Sequence, residues 1–301
     1  MGHLHHHHSG HDHHHEDSTK NIRFAFFLNL IFTIIEIIGG IYTNSVAILS
    51  DALHDLGDSI SLGLSWYFDK VSKKKRDLNY TYGYGRFSLL AAFINSVVLI
   101  TGSLVILIIA LPRLVNPEQP DAQGMIILSI FGVLFNGAAV LKVKNGKSMN
   151  EKVVTLHLLE DVFGWVTVLI ASIVMYFWYF PILDPLLSLL FTSYILFNVI
   201  KNFKQTIRIF LQGKPENIDL QVFKDSLMRI DGLNSVHDLH VWTMDGAFYV
   251  MTLHMVVDDD IDNQEILNIK NKIREISNSN NIQHITIEVE FESENCTLEK
   301  C

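Results

Sequence analysis

The chain has 301 residues, 49% of them hydrophobic, with a mean hydropathy of +0.26. It is too apolar for an ordinary soluble domain and too long for a bare membrane bundle, so about two domains are expected. The net charge of −9 is unevenly placed: residues 1–212 carry 16 Lys and Arg against 15 Asp and Glu, whereas residues 213–301 carry 7 against 17. That acidic C-terminal part argues against nucleic-acid binding and fits a soluble, cation-binding module, and two cysteines confined to the chain end exclude a disulfide scaffold.

Residues 1–20 open the chain with nine histidines among the first fifteen positions, a tract that cannot bury a core and is expected to be a disordered cytosolic tail. It reads either as a native, loosely metal-capturing tail or as an expression tag; the irregular spacing and the interspersed Asp12, Glu16 and Asp17 fit the former. No signal-peptide pattern precedes the first apolar run, so that run is expected to stay as a membrane helix.

Six apolar runs of membrane-spanning length follow, at about 23–42, 45–68, 87–111, 122–141, 153–180 and 182–200. Prolines punctuate them: Pro112 near the end of the third, Pro117 and Pro120 before the fourth, Pro181 and Pro185 around the fifth-to-sixth junction. Lys and Arg gather before the first run, between the second and third, between the fourth and fifth, and after the sixth. The alternate connectors carry only Arg113, so both termini are expected on the cytosolic side. From Gly213 the pattern becomes that of a small soluble domain. Helical spacing at 217–229 and 263–277 and strand alternation at 236–243, 247–257 and 284–291 predict an αββαβ order, a ferredoxin-like α+β module. The expected fold is therefore a six-helix transmembrane bundle (21–212), a cytosolic α+β domain (213–291) and a cysteine-containing tail (292–301).

Two stretches inside the apolar runs carry charge. In the second, His54 precedes Asp58 by four residues; in the fifth, His157 precedes Asp161 by four. Residues i and i+4 share a helix face. Two such helices facing each other offer two imidazoles and two carboxylates, a complete tetrahedral set for Zn²⁺. Ionisable groups inside a membrane are costly and usually line a pathway. Asp51 and Asp55, one turn either way from the ligands, and Glu160 beside Asp161 are therefore candidate pathway groups. Asn29 and Glu36 read as helix-to-helix hydrogen-bonding groups.

The run 44–58 containing Ser50-Asp51-Ala52-Leu53-His54-Asp55-Leu56-Gly57-Asp58 carries the first part of a family resemblance. The others are Tyr82-Gly83-Tyr84-Gly85-Arg86, the pair His157 and Asp161, and the soluble Val236-His237-Asp238-Leu239-His240-Val241-Trp242. In this order they resemble the cation diffusion facilitator family, from about residue 21 to 291. The resemblance implies a homodimeric secondary transporter that exports Zn²⁺ or a related divalent ion from the cytosol in exchange for protons, with His54, Asp58, His157 and Asp161 as the transport site. It implies zinc rather than manganese or iron because His54 stands where members for those metals more often carry aspartate; Cd²⁺ and Co²⁺ are expected as further passengers. It also implies a regulatory Zn²⁺ site in the cytosolic domain using His237, His254 and Glu288, with Cys296 and Cys301 as tail ligands or simply as part of a frayed end. A further histidine site known in the second-to-third connector of some members is not expected, since residues 69–86 hold no histidine. By the same analogy the membrane is a bacterial cytoplasmic one. Two other classes compete. An intramembrane zinc hydrolase would show H-E-x-x-H, which neither histidine has; a non-transporting metal receptor would differ only in lacking metal flux.

Overall fold

The computed structural model describes residues 13–143, 149–294 and 296; within them the side chains of 13–26, 28, 65, 69, 142–143, 149–154 and 157 are outside the description. The expectations for the histidine tract before residue 13 and for Cys301 fall outside the described residues, and for His157 only its place in a helix is described. Six long helices come first: α1 His13–Thr43, α2 Val46–Ser72, α3 Phe87–Val115, α4 Ala122–Val143, α5 Met149–Phe177 and α6 Leu183–Phe210. Among the described residues four of them are long and apolar enough to cross a membrane by themselves, over Phe87–Val115, Ala122–Leu141, Leu158–Phe177 and Leu183–Phe210. Of the other two, α1 has a described apolar stretch over Asn29–Thr43, and α2 carries Asp51, Asp55 and Asp58 in its first half.

The chain divides into two compact units, Met1–Tyr67 with Ile94–Asn202, and Phe68–Phe93 with Phe203–Cys301. In the first, a buried cluster joins Phe32 of α1, Ile48 of α2, Met125 of α4 and Trp165, Val168 and Met175 of α5. Phe32 stacks on Phe135 with ring centroids 4.6 Å apart and receives the Trp165 ring edge-on at 5.8 Å. Trp165, 1% exposed, fits only because α4 presents Gly132 to it: a Cβ there would overlap the indole ring. Gly132→Ala is therefore expected to lower thermal stability in detergent by about 1–3 kcal/mol, the usual penalty for overpacking a filled core. A melting temperature unchanged from the parent would show that the helices part freely at this point.

The helix α2 has two working faces. Val46, Ser50, Leu53 and Gly57, spaced by four, three and four residues, form a stripe toward α3 and α6. Leu53 fills the space left by Gly102, Leu99 the space left by Gly57, and the Ser50 and Thr192 hydroxyls meet at 2.7 Å. Asp51, His54, Asp55 and Asp58 occupy the other side.

In the second unit the order is α7 Leu220–Leu227, β1 Ser235–Thr243, β2 Tyr249–Val257, α8 Asn263–Ser279 and β3 Ile282–Phe291, the αββαβ order read from the sequence. The strands lie β1-β2-β3, with β1 antiparallel and β3 parallel to β2. The parallel step requires the α8 crossover. Asp219 and Asp262 cap the two helices by accepting their first free amides. Ile269 and Ile273 of α8 and Phe223 and Leu227 of α7 pack with Met251, Leu253 and Met255 of the sheet.

The strand β1 is irregular near its centre. His237 pairs with His254, but the next pair is His240 with Thr252, so Asp238 and Leu239 together stand opposite Leu253. This bulge puts Asp238 in the left-handed region, φ +48°. An extra residue of this kind bends a strand and re-aims its side chains.

Candidate metal centres

In the membrane unit, His54 Nε2 and Asp58 Oδ2 are 3.8 Å apart on one face of α2, each side chain a little over a quarter exposed. The i, i+4 spacing has produced the shared face that the sequence predicts. Helix α5 runs beside this face: a Cβ on Gly164 would come 3.7 Å from Asp51 Oδ1. Asp51 feels the charges of His54, Asp161 and Asp58, and Asp55 those of Asp51, Asp161 and Asp58. The folded chain thus brings three of the four sequence-derived transport ligands, His54, Asp58 and Asp161, into one electrostatic neighbourhood; the side chain of the fourth, His157, is not described. Asp55 is buried, Asp51 half-buried and Glu160 exposed.

Glu36 of α1, expected as a helix-to-helix hydrogen-bonding group, joins this group. It is 1% exposed, lies against Asp55, and feels the charges of Asp51 and Asp161 as well. Asn29 behaves as a helix-to-helix group: its amide donates to the Asp55 carbonyl at 3.0 Å and the Ser59 hydroxyl at 3.1 Å. No lysine or arginine occurs between Arg23 and Lys70 or between residues 153 and 200. Glu36, Asp51, Asp55, Asp58 and Asp161 are gathered in an apolar bundle beside His54, an arrangement that attracts cations or protons. The signal for Glu36 was its burial cost in the first apolar run, but nothing local said which neighbour it would meet.

In the second unit, His237, His254, Glu290 and Cys296 each direct one ligand atom into a common space, all within 4.8 Å of one another. His237 Nε2 is 3.2 Å from Glu290 Oε2 and 3.3 Å from Cys296 Sγ; His254 Nδ1 is 2.6 Å from Glu290 Oε1 and 3.8 Å from Cys296 Sγ. The strands β1, β2 and β3 supply one ligand each and the segment after β3 supplies the fourth. Burial pushes the Glu290 carboxyl up, but hydrogen bonds from Cys296 and His254 and the nearby His237 and His254 outweigh it, holding the pKa below the ordinary value. Two imidazoles, a carboxylate and a thiolate fit Zn²⁺, with two negative charges to match it and all four positions filled by protein.

The acid in this set differs from the one expected. Glu288 is the ladder partner of His254, yet its largely exposed side chain reaches the opposite ring nitrogen, Nε2, at 3.4 Å. Asp238, delivered by the bulge, reaches the same Nε2 at 3.5 Å. With Nδ1 facing the cluster, these carboxylates stand on the outer side of the ring, where carboxylates behind metal-binding histidines commonly stand. Glu288 and Glu290 are two apart on one strand and point to the same side, so the alternation that suggested one allowed the other. Asp238 was legible only as part of a motif. His240 pairs with Asp238 at 2.7 Å, and the His284 and Tyr82 rings meet edge to face at 5.4 Å.

Comparison with known proteins adds an independent view of the whole chain. Residues 22–211 match the family description "Cation efflux transmembrane domain", and residues 215–292 match "Cation efflux protein, cytoplasmic domain". The chain is 35% identical over 300 residues to the "Cadmium, cobalt and zinc/H(+)-K(+) antiporter" of Bacillus subtilis (strain 168), covering 98% of this chain and 94% of the relative. It is 29% identical to the "Metal cation efflux system protein CzcD" of Cupriavidus metallidurans, over 90% of this chain and 86% of the relative. Identity to the "Zinc transporter ZitB" of Yersinia pseudotuberculosis is 30%, over 92% and 89%.

Proposed function

The chain belongs to the cation diffusion facilitator family, and from that membership we propose that His54, Asp58, His157 and Asp161 carry Zn²⁺ out of the cytosol in exchange for protons. It is an integral membrane metal-efflux transporter of the zinc type and not an enzyme. In this reading α1 and α2 cross the membrane together with the four more apolar helices, making six spans, with both termini in the cytosol of a bacterial cell. The soluble unit is a ferredoxin-like domain through which two copies of the chain pair, as its match to the family's cytoplasmic domain suggests.

The observation that carries the site assignment is the His54 and Asp58 pair on one face of α2, in the electrostatic neighbourhood of Asp161. Two carboxylates neutralise the divalent ion, and imidazole nitrogen favours Zn²⁺, Cd²⁺ and Co²⁺ over Mg²⁺ or Ca²⁺. A histidine binds a proton or a metal but not both, so the ions compete at one site. Zinc loads from the cytosol and displaces protons; the bundle rocks outward; protons arriving from outside displace zinc. Asp51, Asp55 and Glu160 line the way in and out. His237, His254, Glu290 and Cys296 hold a second zinc that reports cytosolic supply to the membrane unit, and Cys301 extends the tail ligands.

Zinc uptake into inside-out proteoliposomes containing a pH dye tests the exchange. The expected result is zinc accumulation accompanied by proton exit, accelerated by an acidic interior. Uptake indifferent to an imposed pH gradient would remove the proton leg, and no uptake at all would favour a receptor.

A further inference from the structure

Asp184 stands in the first turn of α6 and is 1% exposed, yet its partners lie at the start of another helix. The Ser45 hydroxyl donates to Oδ1 at 2.5 Å, and the Val46 and Ala47 amides donate to Oδ2 and Oδ1 at 2.8 and 3.2 Å. Those amides belong to the first turn of α2, which has no internal acceptors and carries the positive end of the helix dipole. An ordinary cap comes from the residue beside the helix. That position is Ser45, and its oxygen already accepts from the Ile48 amide at 3.2 Å. Asp184 is a second acceptor, brought in from 138 residues away along the chain.

The same end of α2 is held from other directions. Arg113 of α3 donates to the carbonyl and side-chain oxygens of Asn44 at 2.9 and 2.7 Å, and Asn44 in turn donates to Glu118 at 3.0 Å. One turn further in, the Ser50 and Thr192 contact ties α2 to α6 again. His54 and Asp58 lie about 12 and 18 Å along the axis from Val46, at 1.5 Å per residue, within one continuous helix. A tether on the first turn therefore sets how deep both ligands sit, and the second contact sets how α2 is rotated.

We propose that Asp184 is a positioning residue for the transport site: it ties the start of α2 to α6 and so places His54 and Asp58 opposite the ligands of α5. The inference rests on the reading of His54 and Asp58 as transport ligands. Asp184 is not one of the proposed ligands. Its effect is on the geometry offered to the ion, which separates it from a residue that only supports the fold.

The experiment measures KM and Vmax for zinc in proteoliposomes for Asp184→Ala, Asp184→Asn, Ser45→Ala and the reference Asp161→Ala. The visible spectrum of bound Co²⁺ is recorded for each in a His237→Ala background that silences the cytosolic site. Asp184→Ala is expected to raise KM at least tenfold and to weaken the intense tetrahedral Co²⁺ bands. Asp184→Asn and Ser45→Ala, which each keep part of the hydrogen bonding, should fall between it and the parent; they also serve if the alanine variant does not fold. A fall in Vmax that merely follows the amount of folded protein, with KM and Co²⁺ spectrum unchanged, would overturn the proposal and leave Asp184 a stabilising cap. If Asp161→Ala itself leaves KM and spectrum intact, the site assignment falls and this inference with it.

Discussion

Asp161→Ala is expected to reduce zinc transport at least a hundredfold while leaving the protein folded. Asp58 and Asp161 are the carboxylates proposed to neutralise the ion, and removing one leaves an uncompensated positive charge when zinc is bound. Breaking a buried pair in this way costs about 3–5 kcal/mol. At about 1.4 kcal/mol per factor of ten, the affinity of the loaded state falls by about two to three and a half orders of magnitude. Asp161→Asn keeps the shape and loses the charge, so it should be nearly as inactive. Glu160→Ala next to it should have a much smaller effect, since that side chain is exposed. Initial rates of zinc uptake, with zinc titrated over a range of at least a thousandfold, check all three. Uptake that survives Asp161→Ala would place the transport site elsewhere.

His254→Ala is expected to abolish zinc binding by the cytosolic domain and the stabilisation that goes with it. A ligand that binds only the folded state adds about 2.7 kcal/mol at a hundred times its dissociation constant. A four-ligand site without an open position derives most of that affinity from closure, so loss of one member is felt by all. The full-length protein should therefore show a zinc-dependent rise in melting temperature and a metal content by mass spectrometry that both drop in His254→Ala, Glu290→Gln and Cys296→Ser. Asp238→Asn should weaken binding by about ten- to a hundredfold, as loss of an outer carboxylate commonly does, and Glu288→Gln should do less because its carboxylate is largely exposed. Metal content unchanged across the three ligand variants would dismiss the site. Stripping zinc with a chelator should reproduce the variants in the parent protein.

The helices and the αββαβ order could be read from the sequence because each rests on a local period, 3.6 residues for a helix and two for a strand. His54 with Asp58, half of the proposed transport site, shares that legibility, since four residues on a helix fix a common face. What could not be read depends on register between distant segments. Glu290 rather than Glu288 became the acid of the cytosolic cluster because β3 pairs parallel to β2 and the chain then turns back to deliver Cys296. Both glutamates look alike in the one-dimensional pattern. Glu36 read as a helix-to-helix group, but its run of apolar neighbours could not say that the partner would be Asp55. Asp184 carried no signal in its own helix, because its partners are the amides of α2.

The two faces of α2 also limit how this transporter can change over time. Val46, Ser50, Leu53 and Gly57 pack on one side while Asp51, His54, Asp55 and Asp58 lie between them on the other, so the two sets are threaded through the same dozen positions. Inserting or deleting a single residue there would turn everything beyond it by about 100° and shift it about 1.5 Å, sending the proposed ligands into the packing seam and packing residues toward the proposed site. Length variation is thus closed to this segment. Any drift in its choice of metal has to come by exchange of side chains at fixed positions.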